Sequence, residues 1–209
     1  MAEKMKTGTT CMGITFKDGV ILAADRRATG GLMKNDFVKV FPISKTIVST
    51  MAGTASSCQM VIRALQKDAK LLELKNERLA RVSELASIAN QYQYSILRSQ
   101  GEVVSLLIGG YDKQNGFSLF DMGPDGTMTE GDQKYAVDGS GSVFIKGLFD
   151  MEYKHNMSEK EALLLIEKAF TVSFNNDNAS GGGFIAKVIT KDGVSEIMRK
   201  VVKTELVNE

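Results

Sequence analysis

Gly8-Thr9-Thr10-Cys11-Met12-Gly13-Ile14-Thr15-Phe16-Lys17-Asp18-Gly19-Val20-Ile21-Leu22-Ala23-Ala24-Asp25 is the stretch that decides the fold class. Thr9 to Phe16 reads as a strand of mixed burial. Lys17-Asp18-Gly19 supplies a tight turn. Val20 to Ala24 is an unbroken apolar run, the pattern of a strand covered on both faces. Such a strand needs a packed layer above it and another below it.

Outward from there, Thr46 to Ala52 reads as a strand ended by Gly53. Ala55 to about Asn76 carries Val61, Ala64, Leu65 and Leu72 at helical spacing, and Ser83 to Gln100 carries Leu85, Ile88, Ala89, Tyr92 and Ile96 on one stripe. Strands follow at Val103 to Tyr111, Phe117 to Met122 and Tyr135 to Val137, with turns at Asn115-Gly116 and Asp125-Gly126. Helices return at Val143 to Tyr153 and Glu159 to Phe174. The second of these starts with Ser158 as cap, Glu161 three residues on, and Met157 as staple. Phe184 to Thr190 and Val194 to Ile197 close the pattern as a hairpin around Lys191-Asp192-Gly193. Buried strands with helices arriving in pairs suggest two packed sheets with a helical layer outside each, a layered α/β or α+β arrangement in one domain.

Composition excludes several functions. The 209 residues are 43% hydrophobic and 24% charged, with net charge +1, so no basic surplus argues for nucleic acid or an anionic membrane. No run approaches the length of a membrane span, and Met1 to Gly8 lacks the apolar core of a secretory signal. Cys11 and Cys58 read as buried thiols in a reducing cytosol, so a cytoplasmic location is expected. His155 is the only histidine, which argues against a His-based triad and a His-rich metal site; no metal or cofactor is expected.

The chemistry lies in a set of polar residues at the ends of these elements. Cutting a Gly-Thr junction yields a threonine whose hydroxyl is a nucleophile and whose new amine is a base. A free α-amine titrates near ~8, so much of it is neutral at working pH. A nearby lysine favours the neutral amine and a developing alkoxide, and a carboxylate must hold that lysine. Asp25, at the end of an apolar strand, and Lys39, before Val40-Phe41, suit that pair. Gly53 offers an unobstructed N–H for an oxyanion hole. Ser140, Asp177 and Ser180 lie at glycine-rich element ends, where hydroxyls can orient an amine. Taken singly, each has a plainer reading: Thr-Thr is β-propensity, Asp177 to Gly181 a helix-end turn, Lys39 a solvated charge.

Taken together, the segments resemble a catalytic β subunit of the 20S proteasome of archaeal type. The matching pieces are Thr9-Thr10 with Gly13, Asp18-Gly19-Val20, Ala23 to Thr29, Lys39, Met51-Ala52-Gly53, Leu106 to Gly110, Gly139-Ser140-Gly141-Ser142 and Asp177 to Gly182. The resemblance implies a four-layer αββα sandwich of the N-terminal-nucleophile hydrolase type. It implies a propeptide, residues 1–8, removed by self-cleavage at Gly8–Thr9, and a single catalytic domain, 9–209. Thr9 would be nucleophile and base, Asp25 and Lys39 the charged pair beside it, Ser140, Asp177 and Ser180 the supports of the amine, and Gly53 the oxyanion donor. Ala28, Met51 and Ala55 would wall a specificity pocket for large apolar side chains.

Implied partners are other β subunits in a seven-membered ring, two such rings stacked, proteasome α subunits, unfolded polypeptide substrates, and a regulatory ATPase acting through the α ring. Val143 replaces a frequent proline, Cys11 a frequent threonine, and the Gly30 to Phe37 loop is short, which leaves specificity contacts near Phe37 open. Two alternatives share much of this pattern: a structural, non-cleaving β subunit, and another N-terminal-nucleophile amidohydrolase.

Overall fold

Alternation along each strand sorts its side chains between two apolar layers, and that sorting builds the architecture. The computed structural model describes residues 8–29 and 33–202. Residues 1–7 of the expected propeptide 1–8, and the first part of the short loop, residues 30–32, lie outside the described residues. The elements in order are β1 (Cys11–Phe16), β2 (Gly19–Asp25), β3 (Val40–Pro42), β4 (Ile47–Thr50), β5 (Ala52–Gly53), α1 (Ala55–Asn76), α2 (Val82–Gln100), β6 (Val104–Asp112), β7 (Gly116–Met122), β8 (Tyr135–Asp138), α3 (Ser142–Glu152), α4 (Glu159–Asn176), β9 (Phe184–Thr190) and β10 (Gly193–Lys200).

One antiparallel sheet runs β10-β9-β2-β1-β8; the other runs β3-β4-β6-β5, with β7 also paired to β6. Ile21 and Ala23 of β2 pack with Ile145, Phe149, Ile166 and Phe170 of α3 and α4. The alternate residues Val20, Leu22 and Ala24 pack with Val48, Leu107 and Leu119 of the other sheet. Leu106 and Ile108 of β6 then face Val61, Leu65, Leu85 and Ala89 of α1 and α2. Three apolar layers therefore separate four structural ones; the layering agrees with the pattern, and the fold is the α+β sandwich that the resemblance implies. Each fully buried Leu or Ile in them contributes about 1.5–3 kcal/mol relative to exposure.

Two strand readings need correction. The strand expected from Thr9 starts at Cys11. The strand expected from Thr46 to Ala52 is broken at Met51 into β4 and β5, although both pair with β6 in one register: Ser49 opposite Ile108 and Ala52 opposite Ser105. Leu107 N–H donates to the Thr50 hydroxyl (3.1 Å), and Met51 N–H turns away to the Lys39 carbonyl (3.0 Å). A side chain has taken over one ladder bond. The freed bond ties the segment carrying Lys39 to the sheet.

Candidate active site

Four element ends meet at Thr9. β1 and β2 are paired, so Thr9-Thr10 lies next to Asp25, and Asp25 N–H donates to the Thr10 carbonyl at 3.0 Å. β8 flanks β1 on the other side and leads into Gly139-Ser140-Gly141. This turn wraps the threonines: Gly141 N–H donates to the Thr9 carbonyl at 3.2 Å. Gly139 has φ +86°, and a Cβ there would lie 2.2 Å from the Thr9 carbonyl oxygen; a Cβ on Gly141 would meet the Thr10 hydroxyl. Both glycines are thus required by close approach, and the first also by its left-handed backbone.

The charged centre is buried. Asp25 is fully buried and Lys39 is 3% exposed. Lys39 Nζ lies 2.6 Å from Asp25 Oδ1 and donates to Thr9 Oγ1 at 2.9 Å and to the Gly8 carbonyl at 3.2 Å. Asp25 also accepts from Thr10 N–H on Oδ1 (3.1 Å) and from Arg27 and Gly181 N–H on Oδ2 (3.0 Å each). Burial pushes the Asp25 carboxyl above its ordinary value; Lys39 and the Gly181 and Thr10 amides pull the other way.

The Gly8–Thr9 junction lies inside this centre. Thr9 Oγ1 donates to the Gly8 carbonyl at 2.7 Å, and Gly8 N–H donates to the Thr29 hydroxyl at 3.1 Å. Thr9 N–H donates to Ser140 Oγ at 3.2 Å, and Ser140 Oγ donates to Asp177 Oδ2 at 2.7 Å. Asp177 therefore reaches the Thr9 nitrogen through Ser140. Ser180 is one step further out: it hydrogen-bonds Asp177 Oδ2 and the Thr10 hydroxyl, both at 2.7 Å. The Thr10 hydroxyl, in turn, is 2.5 Å from Ser173 Oγ.

Thr10 and Ser173 are the members that the sequence reading missed. Ser173 sits on the buried face of α4 with Ala162, Ile166 and Ala169. A serine at an apolar-stripe position was the available signal.

A pocket beside Thr9 is lined by Ala28, Phe37, Lys39, Met51, Ala52, Gly53, Ala55 and Cys58. It brings together all three expected wall residues and the expected oxyanion residue Gly53. Phe37 and Cys58 are additions. Cys58 lies three residues after Ala55 on α1, hence on the same helix face. Burial pushes its thiol up to about 12. Among the described residues no group of three or more His, Cys, Asp or Glu is placed to hold a metal ion.

The arrangement therefore holds a hydroxyl, an ammonium and a peptide carbonyl in one buried cluster that opens on an apolar pocket. Comparison with known proteins adds that residues 5–189 match the family described as "Proteasome subunit". The chain belongs to the proteasome subunit family. Within it, the chain is 32% identical over 204 residues to "Proteasome subunit beta" of Methanobrevibacter smithii, covering 97% of each chain. It is 33% identical over 208 residues to the same-named protein of Methanocella paludicola, covering 97% of this chain and 98% of that one. With "Proteasome subunit beta" of Haloferax volcanii it shares 34% identity over 195 residues, 92% of this chain and 77% of that one. These relatives assign this proteasome family member the role of a β subunit of the 20S core. No described helix is long and apolar enough to cross a membrane.

Proposed function

We propose that the chain is a working threonine endopeptidase subunit and not a structural subunit, and that Gly8–Thr9 is the junction it cuts in its own precursor. The observation that carries this reading is the unbroken buried series Asp25–Lys39–Thr9 Oγ1, at 2.6 and 2.9 Å. A subunit without catalysis gains nothing from burying an ammonium against a threonine hydroxyl, and desolvating that charge is costly.

Two reactions use the same hydroxyl. In the precursor, Thr9 Oγ attacks the carbonyl carbon of Gly8. Lys39, already donating to that carbonyl oxygen, stabilises the negative charge that forms on it. The bond from Gly8 to the Thr9 nitrogen breaks, and that nitrogen, beside Ser140, takes up the proton that Oγ gives up. The resulting ester on Oγ is hydrolysed by water, which frees residues 1–8 and leaves an α-amine on Thr9. In the mature domain, residues 9–209, that amine takes the Oγ proton as Oγ attacks a substrate peptide carbonyl, with Gly53 N–H as oxyanion donor. The amine then protonates the leaving peptide amine, and water releases the acyl group.

Ser140, Asp177 and Ser180 hold the amine in place through the hydroxyl series described above. Ala28, Met51 and Ala55, with Phe37 and Cys58, receive a large apolar side chain. Unfolded polypeptide is the fitting substrate, because a folded domain cannot thread into a cleft with so much buried surface around it. Assembly with proteasome α subunits and other β subunits, in stacked seven-membered rings gated by a regulatory ATPase in the cytoplasm, completes the reading. Hydrolysis of fluorogenic peptides by particles co-assembled with α subunits tests it: wild type is expected to cleave, and Thr9→Ala is expected not to.

A further inference from the structure

Ser173 is a hydroxyl in an apolar place. It is fully buried on α4, on the face that carries Ala162, Ile166, Ala169 and Phe170. A buried hydroxyl needs a hydrogen-bond partner, and on a helix the nearest one is the carbonyl four residues back. Thr171, on the same helix, bonds to Glu167 in that way at 2.9 Å. Ser173 does not. Among the described residues its hydroxyl has one partner, Thr10 Oγ1 at 2.5 Å, from the other end of the chain.

Counting protons fixes the direction of this contact. Ser180 Oγ donates its one proton to Asp177 Oδ2, so toward Thr10 it can only accept. Thr10 Oγ1 therefore donates to Ser180, and toward Ser173 it can only accept. The order runs from Ser173 to Thr10 to Ser180 to Asp177, and Ser140 donates to the same Asp177 oxygen. Gly141 covers the pair: a Cβ on it would lie 1.9 Å from Thr10 Oγ1 and 2.6 Å from Ser173 Oγ.

Thr10 is a place where such a tie matters. The β1 ladder starts at Cys11, opposite Ala24 and Asp138, so Thr9 and Thr10 extend beyond it. While Gly8 is attached, its N–H on the Thr29 hydroxyl holds the far side of Thr9. Once Gly8 is gone, Thr9 is a chain end, and chain ends fray unless tied down. The Thr10 N–H and carbonyl are both bonded to Asp25. The hydroxyl is the third hold, and the one that reaches the helical layer.

We propose that Ser173 is a positioning residue: its hydroxyl closes a clamp on the Thr10 side chain that fixes the new chain end, and with it Thr9 Oγ, for attack. Ser173 touches neither the nucleophile nor the scissile junction and acts through Thr10. Its effect on turnover rests on the protease reading; the clamp itself does not.

The test compares wild type, Ser173→Ala, Thr10→Val and the double variant in particles assembled with α subunits, each chain supplied with Thr9 already first. Alanine preserves the helix, and valine keeps the shape of threonine without its hydroxyl. Ser173→Ala is expected to lower kcat about fivefold, the worth of one hydrogen bond, with KM unchanged. Amide exchange in the peptide from Thr9 to Phe16 is expected to speed up by about the same factor, with α4 unaltered. Added to Thr10→Val, the same substitution is expected to change neither readout, because the hydroxyl it serves is already absent.

Wild-type kcat in Ser173→Ala, exchange that rises in α4 and not in residues 9–16, or a fivefold loss that persists in full on Thr10→Val overturns the proposal. The first two outcomes decide it even where Thr10→Val does not assemble. If wild type itself does not hydrolyse peptides, the protease reading fails, and exchange in residues 9–16 still decides whether Ser173 holds Thr10.

Discussion

Lys39 Nζ lies 2.6 Å from Asp25 Oδ1, with both side chains buried. The contact is one part of a saturated set. An ammonium has three N–H groups, and Lys39 has three acceptors in reach: Asp25, Thr9 Oγ1 and the Gly8 carbonyl. Asp25 in turn takes donors on both oxygens, from Lys39, Thr10, Arg27 and Gly181. Neither charge has a spare direction, so the ammonium is held at the hydroxyl instead of wandering to solvent.

Removing Lys39 should therefore cost more than removing a surface lysine. Lys39→Ala leaves Asp25 buried without its counter-charge, at about 3–5 kcal/mol of stability. Thermal unfolding of assembled particles measures that part. Covalent labelling by a peptide epoxyketone probe measures the other, and labelling of Thr9 is expected to disappear. Wild-type labelling of Lys39→Ala would remove the lysine from the mechanism.

Gly8 is required for space. A Cβ on residue 8 would lie 1.7 Å from the Ala179 Cβ. Gly8→Val is expected to push the scissile peptide out of place and leave residues 1–8 attached, as intact mass would report. A chain released with Thr9 as its first residue by an unrelated protease is expected to be fully active, since residue 8 is then gone.

The pocket walls predict the cleavage preference. Ala28, Phe37, Met51, Ala55 and Cys58 present no carboxylate to an entering side chain. Burying a leucine or tyrosine side chain there is worth about 1.5–3 kcal/mol, or about tenfold or more in kcat/KM. Fluorogenic peptides ending in Leu or Tyr should be cleaved faster than those ending in Arg or Glu by at least that factor. A preference for Arg or Glu would contradict the pocket assignment.

Cys58 shares this pocket with Thr9 yet should be unreactive. Its thiol is raised to about 12 by burial, so the thiolate, the reactive form, is scarce until the pH nears that value. Iodoacetamide at pH 8 is expected to leave Cys58 and Cys11 unmodified in the folded particle and to modify both after denaturation. Peptide mapping by mass spectrometry reads this directly.

What the sequence disclosed follows from how local each signal is. The α1 bounds, Ala55–Asn76, agree with the periodic stripe, because a long amphipathic helix repeats its message over many turns. The start of α4 was legible from Ser158 and Glu161, which do form a reciprocal cap. β3 was missed: Val40–Pro42 is three residues ending in proline, too short to alternate. The break at Met51 depends on the Thr50 hydroxyl meeting Leu107 from a distant strand, which no local pattern encodes. In the site, Thr9, Asp25 and Lys39 were legible as motif residues. The Thr10–Ser173–Ser180 contacts join three distant segments and emerge only when the sheet and α4 are packed.

Intact mass of the chain after co-expression with α subunits, for wild type and Thr9→Ala side by side, tests the central claim most directly. A single hydroxyl is held to perform both self-cleavage and peptide hydrolysis. Wild type is expected to lose residues 1–8 and start at Thr9, while Thr9→Ala keeps its full length; Thr9→Ser, which retains a hydroxyl, is expected to be processed at least in part. Wild type that stays full length in an assembled particle, or Thr9→Ala cut at the same junction, would contradict the account.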